Sequence, residues 1–206
     1  MLKQFYESNK IEVGLDEVGR GCLFGPVCVA GVVWLDDDPE PQLEIRDSKK
    51  VSEKKRILLK DYILENSIAN SIILVDNDYI DKHNILNSTM TGMHKCLDEI
   101  TKLLSVDTIL VDGNHFEYYS DKNENYISHI CIVNGDNTYK SIAAASILAK
   151  TYRDEWINKL VDENPELEKY DLRNNKGYGT KKHLDAIKKY GITRWHRKSF
   201  GICKEL

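Results

Sequence analysis

The sequence predicts an α/β fold with a mixed sheet, on two observations. Short apolar runs bounded by turn residues come first and then alternate with segments of helical periodicity. After the last of these runs only helical patterns follow. Alternation of the two periods is typical of a sheet covered by helices, so we expect one α/β unit with a helical C-terminal part.

The predicted strands are short and apolar, and most are rich in β-branched residues. Turn residues or polar loops bound each of them. In chain order they are IEVGLD (11–16), VCVAGVVWL (27–35), SIILVD (71–76), DTILVDG (107–113) and HICIVNGD (129–136).

Two helices are predicted between these strands. Ser52 is a suitable N-cap for the segment 52–66, whose expected apolar face consists of Leu58, Leu59, Tyr62 and Ile63. After His83, apolar residues recur at alternating steps of four and three, which predicts a helix packed on the core. This stripe consists of Leu86, Met90, Met93, Leu97, Ile100 and Leu104.

Two more helices are predicted after the last strand. The segment 139–161 is apolar nearly all round at its start, which indicates a central, buried position. Ala144 and Ser146 within it are expected to pack against the sheet. The segment 180–191 begins at the possible cap Thr180 and ends at Gly191, a suitable C-terminal glycine.

Composition excludes several classes of protein. Of 206 residues, 41% are hydrophobic and 30% charged, which suits a folded globular chain. No apolar run approaches the ~18 residues of a membrane span, and the N-terminus lacks an apolar signal core. The five cysteines form no CxxC pair, which indicates reduced thiols. We therefore expect a cytoplasmic protein without a membrane partner.

Charge is distributed unevenly along the chain. Residues 169–204 contain 11 Lys and Arg but only 2 Asp and Glu, although the whole chain has a net charge of −4. An acidic body with a basic C-terminal segment is one way to hold cations in one place and phosphates in another. A solvated, lysine-rich helix explains the same pattern, so charge alone leaves both interpretations open.

Acidic residues stand at the ends of three predicted strands. Asp16, with Glu17 beside it, Asp112 and Asp136 each follow an apolar run, and ligands of open α/β sheets collect at strand ends. Together they would repel one another unless a hard divalent cation neutralised them. Any one of them alone is equally compatible with a loop-capping aspartate. The glycines around Asp16 permit the local distortion that would let Glu17 converge with it.

Seven ordered motifs resemble type 2 ribonuclease H, ribonuclease HII, over nearly the whole chain. They are DEVGRGCLFGPV (16–27), RDSKKVSEKKR (46–56), HNILNSTMTGMHKCL (83–97), ILVDGN (109–114), GDNTYKSIAAASILAKTYRD (135–154), NKGYGTKKHL (175–184) and HRKSF (196–200). The resemblance implies a ribonuclease H-like fold with a central five-stranded mixed sheet. It implies one catalytic domain, 1–206, in which the basic helical part from about residue 165 contacts substrate.

The resemblance also implies an activity: hydrolysis of RNA in RNA–DNA hybrids, and nicking 5′ of single ribonucleotides embedded in DNA, leaving a 3′-hydroxyl and a 5′-phosphate. It implies a two-metal mechanism with Mn²⁺ or Mg²⁺ held by Asp16, Glu17, Asp112 and Asp136. The implied partner is nucleic acid, an RNA–DNA hybrid or a ribonucleotide-containing DNA duplex, and we expect a monomer.

Substrate contacts follow from the same resemblance. Gly19, Arg20 and Gly21 would sense the 2′-hydroxyl, Tyr178 would pack on the sugar beside the scissile junction, and Ser48 and Lys49 would contact phosphate. Without the resemblance, Tyr178 is better explained as a turn aromatic. Lys50 belongs to the same phosphate-contacting loop as Ser48 and Lys49. Further candidates for phosphate contacts, each better explained on its own as solvated surface or structure, are Lys150, Arg153, Lys181, Lys182, His196 and Arg197. Asp154 could lie near the metals or pair with Lys150 four residues before it, and we favour a structural or supporting role.

Three alternatives remain at this point. A type 3 ribonuclease H would act on longer hybrids, although only about 15 residues precede Asp16 to hold its extra N-terminal domain. A hybrid-binding module without catalysis would need the basic segment but not the four carboxylates. A structural α/β domain could use the acidic cluster for a structural ion alone.

Overall fold

The structure, a computed structural model, describes residues 2–34, 45 and 51–206. Ser48, Lys49 and Lys50, the predicted phosphate contacts, lie outside the described residues. Within the described part of the chain, no helix is both long enough and apolar enough to cross a membrane.

A mixed sheet of six strands forms the centre of the fold. Its order is β3-β2-β1-β4-β6-β5, with β1 antiparallel to β2 and parallel to β4. The strands are β1 (Glu12–Val18), β2 (Val27–Val33), β3 (Ala69–Val75), β4 (Thr108–Asp112), β5 (Tyr119–Ser120) and β6 (Tyr126–Ile132).

The α/β class, the mixed sheet and the five predicted strands are confirmed, but the number of strands is wrong by one. The additional strand, β5, has two residues and pairs with the edge strand β6. A two-residue strand is too short to produce an alternating pattern, so the sequence carried no signal for it.

Within the described residues, five α-helices accompany the sheet, together with three short 3₁₀ segments. The helices are α1 (Glu53–Asn66), α2 (Asn77–Thr101), α3 (Lys140–Glu163), α4 (Leu172–Asn175) and α5 (Lys181–Tyr190). The 3₁₀ segments are Gly135–Asn137, Pro165–Tyr170 and Gly201–Glu205. Capping is as predicted: Ser52 and Thr180 accept hydrogen bonds from the first turns of α1 and α5, and Gly191 ends α5.

Three details of the helices differ from prediction, one of them at Leu86, which belongs to the predicted apolar stripe but is 37% exposed. Leu58 was assigned to the apolar face of α1 but is 56% exposed, because the buried face of this helix is narrower than the predicted stripe. Helix α2 begins before His83 and is kinked at Asn84, whose φ of +64° interrupts the helical backbone. The Asn84 side chain accepts a hydrogen bond from Asn87 N–H and so starts the second segment.

Helices cover both faces of the sheet. On one face, α2 contributes Met93 and Leu97 to a cluster with Leu15 of β1. On the other face, α1 and the alanine-rich start of α3 pack on β2. A third cluster joins the end of α3 to the C-terminal segment through residues such as Ile157 and Leu172. The buried, central position predicted for α3 is therefore confirmed.

Helix α3 crosses β1 at Gly14, where the two backbones are in close contact. A Cβ built on Gly14 would lie under 3.0 Å from backbone atoms of Ser141 and Ile142. Backbone cannot rotate away from such an overlap as a side chain can. The absence of a side chain at Gly14 therefore sets how closely α3 approaches the strand that carries Asp16.

We expect Gly14→Ala to lower the free energy of unfolding by about 3 kcal/mol, because overpacking here must displace α3 from β1. Chemical denaturation of the purified variant measures this. Gly21→Ala is the matched control, since a Cβ on Gly21 meets no atom within 4 Å. Equal stability of the two variants would contradict this account of the helix–strand contact.

Candidate active site

Asp16 and Asp112 lie at the same edge of two neighbouring strands. Strand β1 pairs in parallel with β4, and Leu15 is the register partner of Val111. The next residue of each strand is an aspartate, so the carboxyl ends of both strands bring acidic side chains together. The predicted convergence of these two residues is thus a direct consequence of the parallel register.

The Asp16 carboxylate is buried, with 6% of the residue exposed. Burial, followed by the neighbouring Glu17 and Asp112 carboxylates, raises the pKa of Asp16 well above its usual range. Two hydrogen bonds partly oppose this effect: Glu17 N–H donates to Asp16 Oδ1 at 2.7 Å, and the Ser146 side chain of α3 also contacts the carboxylate. Ser146, predicted as a packing residue, is therefore also a polar partner of the site.

Glu17 joins this group although strand alternation favours the opposite direction for its side chain. Burial raises the pKa of Glu17, the Arg20 guanidinium lowers it, and Asp112 raises it again. Arg20 Nη1 donates to Glu17 Oε1 at 3.1 Å. Glu17 thus lies between the carboxylates of the strand ends and the cation of the following turn.

Asp136 reaches the same region by a turn rather than a strand end. Gly135 N–H donates to Asp112 Oδ1 at 2.6 Å, which ties the 3₁₀ segment Gly135–Asn137 to the end of β4. Asp136 is 3% exposed and accepts a hydrogen bond from the Asn137 side-chain amide at 2.9 Å. The turn therefore orders Asp136 next to the residue that contacts Asp112.

The donor chemistry of these four residues fits a hard divalent cation. All four offer carboxylate oxygens, and the mutual repulsion of Asp16, Glu17 and Asp112 is the kind that a cation relieves. Among the described residues, however, no three acidic, histidine or cysteine side chains are already arranged as a metal-binding group. These residues therefore supply the type of ligand, carboxylate oxygen, that such a cation prefers.

The Gly19–Gly21 turn and Tyr178 lie side by side. Leu23 N–H donates to the Gly177 carbonyl at 2.8 Å, and the Tyr178 hydroxyl is in hydrogen-bonding contact with the Cys22 thiol. Burial raises the pKa of Tyr178 to about 12, so the phenol stays neutral. The residue is nevertheless 40% exposed, which leaves part of its ring open to a ligand.

Gly19 and Gly21 differ in what surrounds them. Gly19 has a φ of +92°, and a Cβ there would lie under 3.0 Å from the Arg153 guanidinium. Gly21 has neither restriction, since nothing lies within 4 Å of its ideal Cβ position. Gly19 is therefore required by the fold, whereas the space beside Gly21 is open.

Three candidate phosphate contacts have the structural role that the sequence left open. Arg153, His196 and Arg197 are 0% exposed, so they are not available at the surface. Arg153 instead donates to the carbonyls of Phe24, Pro26 and Lys176 at 2.7–2.9 Å. Sequence reasoning missed this role because a buried arginine that binds backbone carbonyls has no local signature.

Two other candidate phosphate contacts are accessible to solvent, since Lys181 and Lys182 are exposed on α5. Lys150 pairs with Asp154 at 2.8 Å as predicted, and Arg56 also approaches Asp154, at 3.6 Å. Asp154 is therefore part of an ion-pair group.

We expect Asp16→Asn to stabilise the protein in the presence of a chelator. The raised pKa of Asp16 means that the folded state loses stability as pH rises above the ordinary carboxyl range, and asparagine removes this cost while Oδ1 can still accept from Glu17 N–H. The melting temperature at neutral pH should rise by about 3 °C, or roughly 1 kcal/mol.

Added Mn²⁺ or Mg²⁺ should raise the melting temperature of the unsubstituted protein more than that of this variant, because a ligand stabilises only the state that binds it. Differential scanning calorimetry, with and without chelator, measures both effects. A lower melting temperature for Asp16→Asn in chelator would contradict the proposed repulsion.

Comparison with known proteins agrees with the resemblance seen in the motifs. The family model described as Ribonuclease HII matches residues 13–203. The ribonuclease HII of Parabacteroides distasonis is 43% identical over 205 residues, covering 100% of this chain and 97% of that protein. The ribonuclease HII of Christiangramia forsetii is 45% identical over 198 residues, covering 96% and 94%.

A solved structure shares the fold. The ribonuclease H2 of Pyrococcus horikoshii aligns with a TM-score of 0.74 at 22% identity, over 94% of this chain and 95% of that one. With the strand order and the carboxylate edge described above, these matches lead to one conclusion: the chain belongs to the ribonuclease HII family.

Proposed function

We propose that this endonuclease, which as a ribonuclease HII hydrolyses the RNA of RNA–DNA hybrids, also nicks duplex DNA on the 5′ side of a single embedded ribonucleotide. The products would be a 3′-hydroxyl and a 5′-phosphate. One observation carries this proposal: the acidic cluster and the Gly19–Gly21 turn are adjacent, and the contact between Arg20 and Glu17 joins them. Recognition of a ribose and hydrolysis beside it would then occur in one place.

Four carboxylates would hold the divalent metal that this chemistry requires. In the proposal Asp16, Glu17, Asp112 and Asp136 bind Mn²⁺ or Mg²⁺, and such a metal supplies an activated water and stabilises charge on the phosphate. The coupling of Asp16 with Glu17 and Asp112 supports this assignment, because it makes these carboxylates favour a cation. The bond from Gly135 N–H to Asp112 supports the inclusion of Asp136, because it ties the turn that carries Asp136 to the end of β4.

The Gly19–Gly21 turn would recognise the 2′-hydroxyl through backbone groups, which can approach a ribose closely where no Cβ intervenes. Open space at Gly21 supports this role. Arg20 is 48% exposed at its side chain and would exchange its contact with Glu17 for a substrate phosphate. Tyr178, with its partly open ring, would pack on the sugar next to the scissile junction.

The whole chain would act as one catalytic domain, with the basic part from about residue 165 bound to the duplex backbone. Exposed lysines of α5 support this: they are Lys181, Lys182, Lys188 and Lys189. Ser48 and Lys49 remain proposed phosphate contacts on the sequence resemblance alone. The same proposal sets the protein in the cytoplasm as a monomer, with nucleic acid as its partner.

The alternatives make different demands on the site. A type 3 ribonuclease H would favour a longer RNA stretch over one embedded ribonucleotide. A hybrid-binding module would use the exposed lysines but would have no need for the buried, mutually repelling carboxylates. Cleavage of a single-ribonucleotide duplex and the effect of Asp112→Asn on that cleavage separate both alternatives from the proposal.

A nicking assay on a duplex with one embedded ribonucleotide tests the function directly. With Mn²⁺ or Mg²⁺ we expect one cut 5′ of the ribonucleotide. Asp112→Asn should lower kcat at least about a hundredfold, because the substitution removes one of the carboxylates proposed to hold the metal. Hybrid binding by this variant, measured by fluorescence anisotropy, should be largely retained.

Failure of the unsubstituted protein to cut this duplex, with cutting of a longer hybrid, would favour the type 3 activity. Full activity of Asp112→Asn would overturn the carboxylate assignment.

Gly21→Ala separates substrate recognition from folding. Because its Cβ meets no protein atom, we expect an unchanged melting temperature. The same Cβ would occupy the space proposed for the ribose, so kcat/KM on the single-ribonucleotide duplex should fall about a hundredfold, as expected for a misplaced substrate. Wild-type kcat/KM in the folded variant would show that the turn does not receive the ribose.

A further inference from the structure

Two histidines face each other inside the C-terminal part of the molecule. His183 of α5 and His196 of the following segment are both 0% exposed, and their Nε2 atoms lie 3.2 Å apart. The Phe24 ring packs perpendicular to the imidazole of His196, and Tyr170 packs against both imidazoles. For the two Nε2 atoms to form a hydrogen bond, one of them must carry a proton and donate it to the other.

The surrounding hydrogen bonds allow one arrangement of protons. Thr193 N–H donates to His196 Nδ1 at 2.9 Å, so Nδ1 is an acceptor and the proton of neutral His196 is on Nε2. His196 Nε2–H then donates to His183 Nε2. The proton of His183 is consequently on Nδ1, which donates to the Tyr178 carbonyl at 2.9 Å. We call this chain, from Thr193 through both imidazoles to Tyr178, the histidine relay.

Both imidazoles are neutral, as the relay requires. Burial lowers the pKa of His196 to about 3, with the adjacent imidazole as a second cause. Burial also lowers the pKa of His183, although its bond to the Tyr178 carbonyl and the charge of Asp171 oppose this. The direction of every hydrogen bond in the relay is thus retained at neutral pH.

The residue after His196 extends the same structure to the other recognition element. Arg197 Nε donates to the Gly25 carbonyl and Nη1 to the Arg20 carbonyl, both at 2.9 Å. Its backbone N–H donates to the Leu23 carbonyl at 2.8 Å. Arg197 therefore bonds directly to the turn that carries Arg20, and the preceding residue, His196, connects through His183 to the turn that carries Tyr178.

The burial of Arg197 lowers the stability of the fold, which a purely structural role does not explain. It is 0% exposed, and its Nη2 has no hydrogen-bond partner among the described residues. A buried, partly unsatisfied guanidinium lowers stability compared with an apolar side chain of similar size. What Arg197 provides in return is a hydrogen bond that holds the Arg20 carbonyl in place.

We propose that His183, His196 and Arg197 are positioning residues that set the distance between Tyr178 and the Gly19–Gly21 turn, and thereby the preference for a single embedded ribonucleotide. This inference rests on the proposed function, because it assumes that both elements contact the substrate. The histidine relay acts on Tyr178, and Arg197 acts on Arg20. None of the three touches the substrate.

The test is a ratio of two kcat/KM values, one for the single-ribonucleotide duplex and one for a continuous RNA–DNA hybrid. We expect His183→Leu to lower this ratio about tenfold, the effect of one lost net hydrogen bond. His183→Asn, whose amide can still donate to the Tyr178 carbonyl, should keep a ratio between those of His183→Leu and the unsubstituted protein. Val161→Ala, buried in the same C-terminal cluster with a side chain that forms none of the relay's hydrogen bonds, is the stability control and should leave the ratio unchanged.

A double-mutant cycle with Tyr178→Ala distinguishes positioning from general destabilisation. If His183 acts through Tyr178, His183→Leu should have almost no further effect on the ratio in the Tyr178→Ala protein. Additive effects, or an unchanged ratio in folded His183→Leu, would overturn the inference. If the leucine variant does not fold, His183→Asn and Arg197→Lys carry the same measurement, and an unchanged ratio in both overturns it.

Failure of the proposed function gives a different result. In that case the unsubstituted protein does not cut the single-ribonucleotide duplex at all, so no ratio exists to be changed. Failure of the inference alone leaves a protein that prefers this duplex and variants that keep the preference.

Discussion

The close contact between α3 and β1 at Gly14 is the constraint on which the rest of the site depends. It holds β1 against the helix that carries Ser146, and the parallel register of β1 with β4 then brings Asp16 beside Asp112. Because strand side chains alternate between faces, a shift of one residue would turn Asp16 away from its partners. Packing at a residue without a side chain thus determines the position of the charges.

The carboxylate group shows how a site can oppose the stability of its own fold. Burial and mutual repulsion make Asp16 and Glu17 unfavourable as charged groups, and the nearby hydrogen bonds offset this only in part. Such a group favours a bound cation, which relieves the repulsion and adds the electrostatic stabilisation that phosphodiester hydrolysis needs. The Arg20 guanidinium offsets part of this repulsion, and because its side chain is exposed it can exchange Glu17 for another partner.

The Gly19–Gly21 turn and the turn that carries Tyr178 depend on a second, polar network. Arg153 binds three backbone carbonyls on both sides of the Leu23–Gly177 contact, and Arg197 and the histidine relay continue this network into the C-terminal segment. Backbone carbonyls of irregular loops need such donors when they are buried. Side chains that resemble phosphate ligands in the sequence therefore serve here to order loops.

The sequence by itself determined the α/β class, the five longer strands, the caps at Ser52 and Thr180, and the four carboxylates and glycines as candidates, because periodicity, capping and motif spacing are local properties. It did not identify Ser146 as a partner of Asp16, the burial of Arg153, His196 and Arg197, or the strand β5. Each of these depends on which distant segments meet: Ser146 on the docking of α3, and the two histidines on the approach of residue 196 to α5. Only the tertiary structure decides such contacts, because charge and hydrogen-bonding capacity do not reveal whether a side chain faces water or another part of the chain.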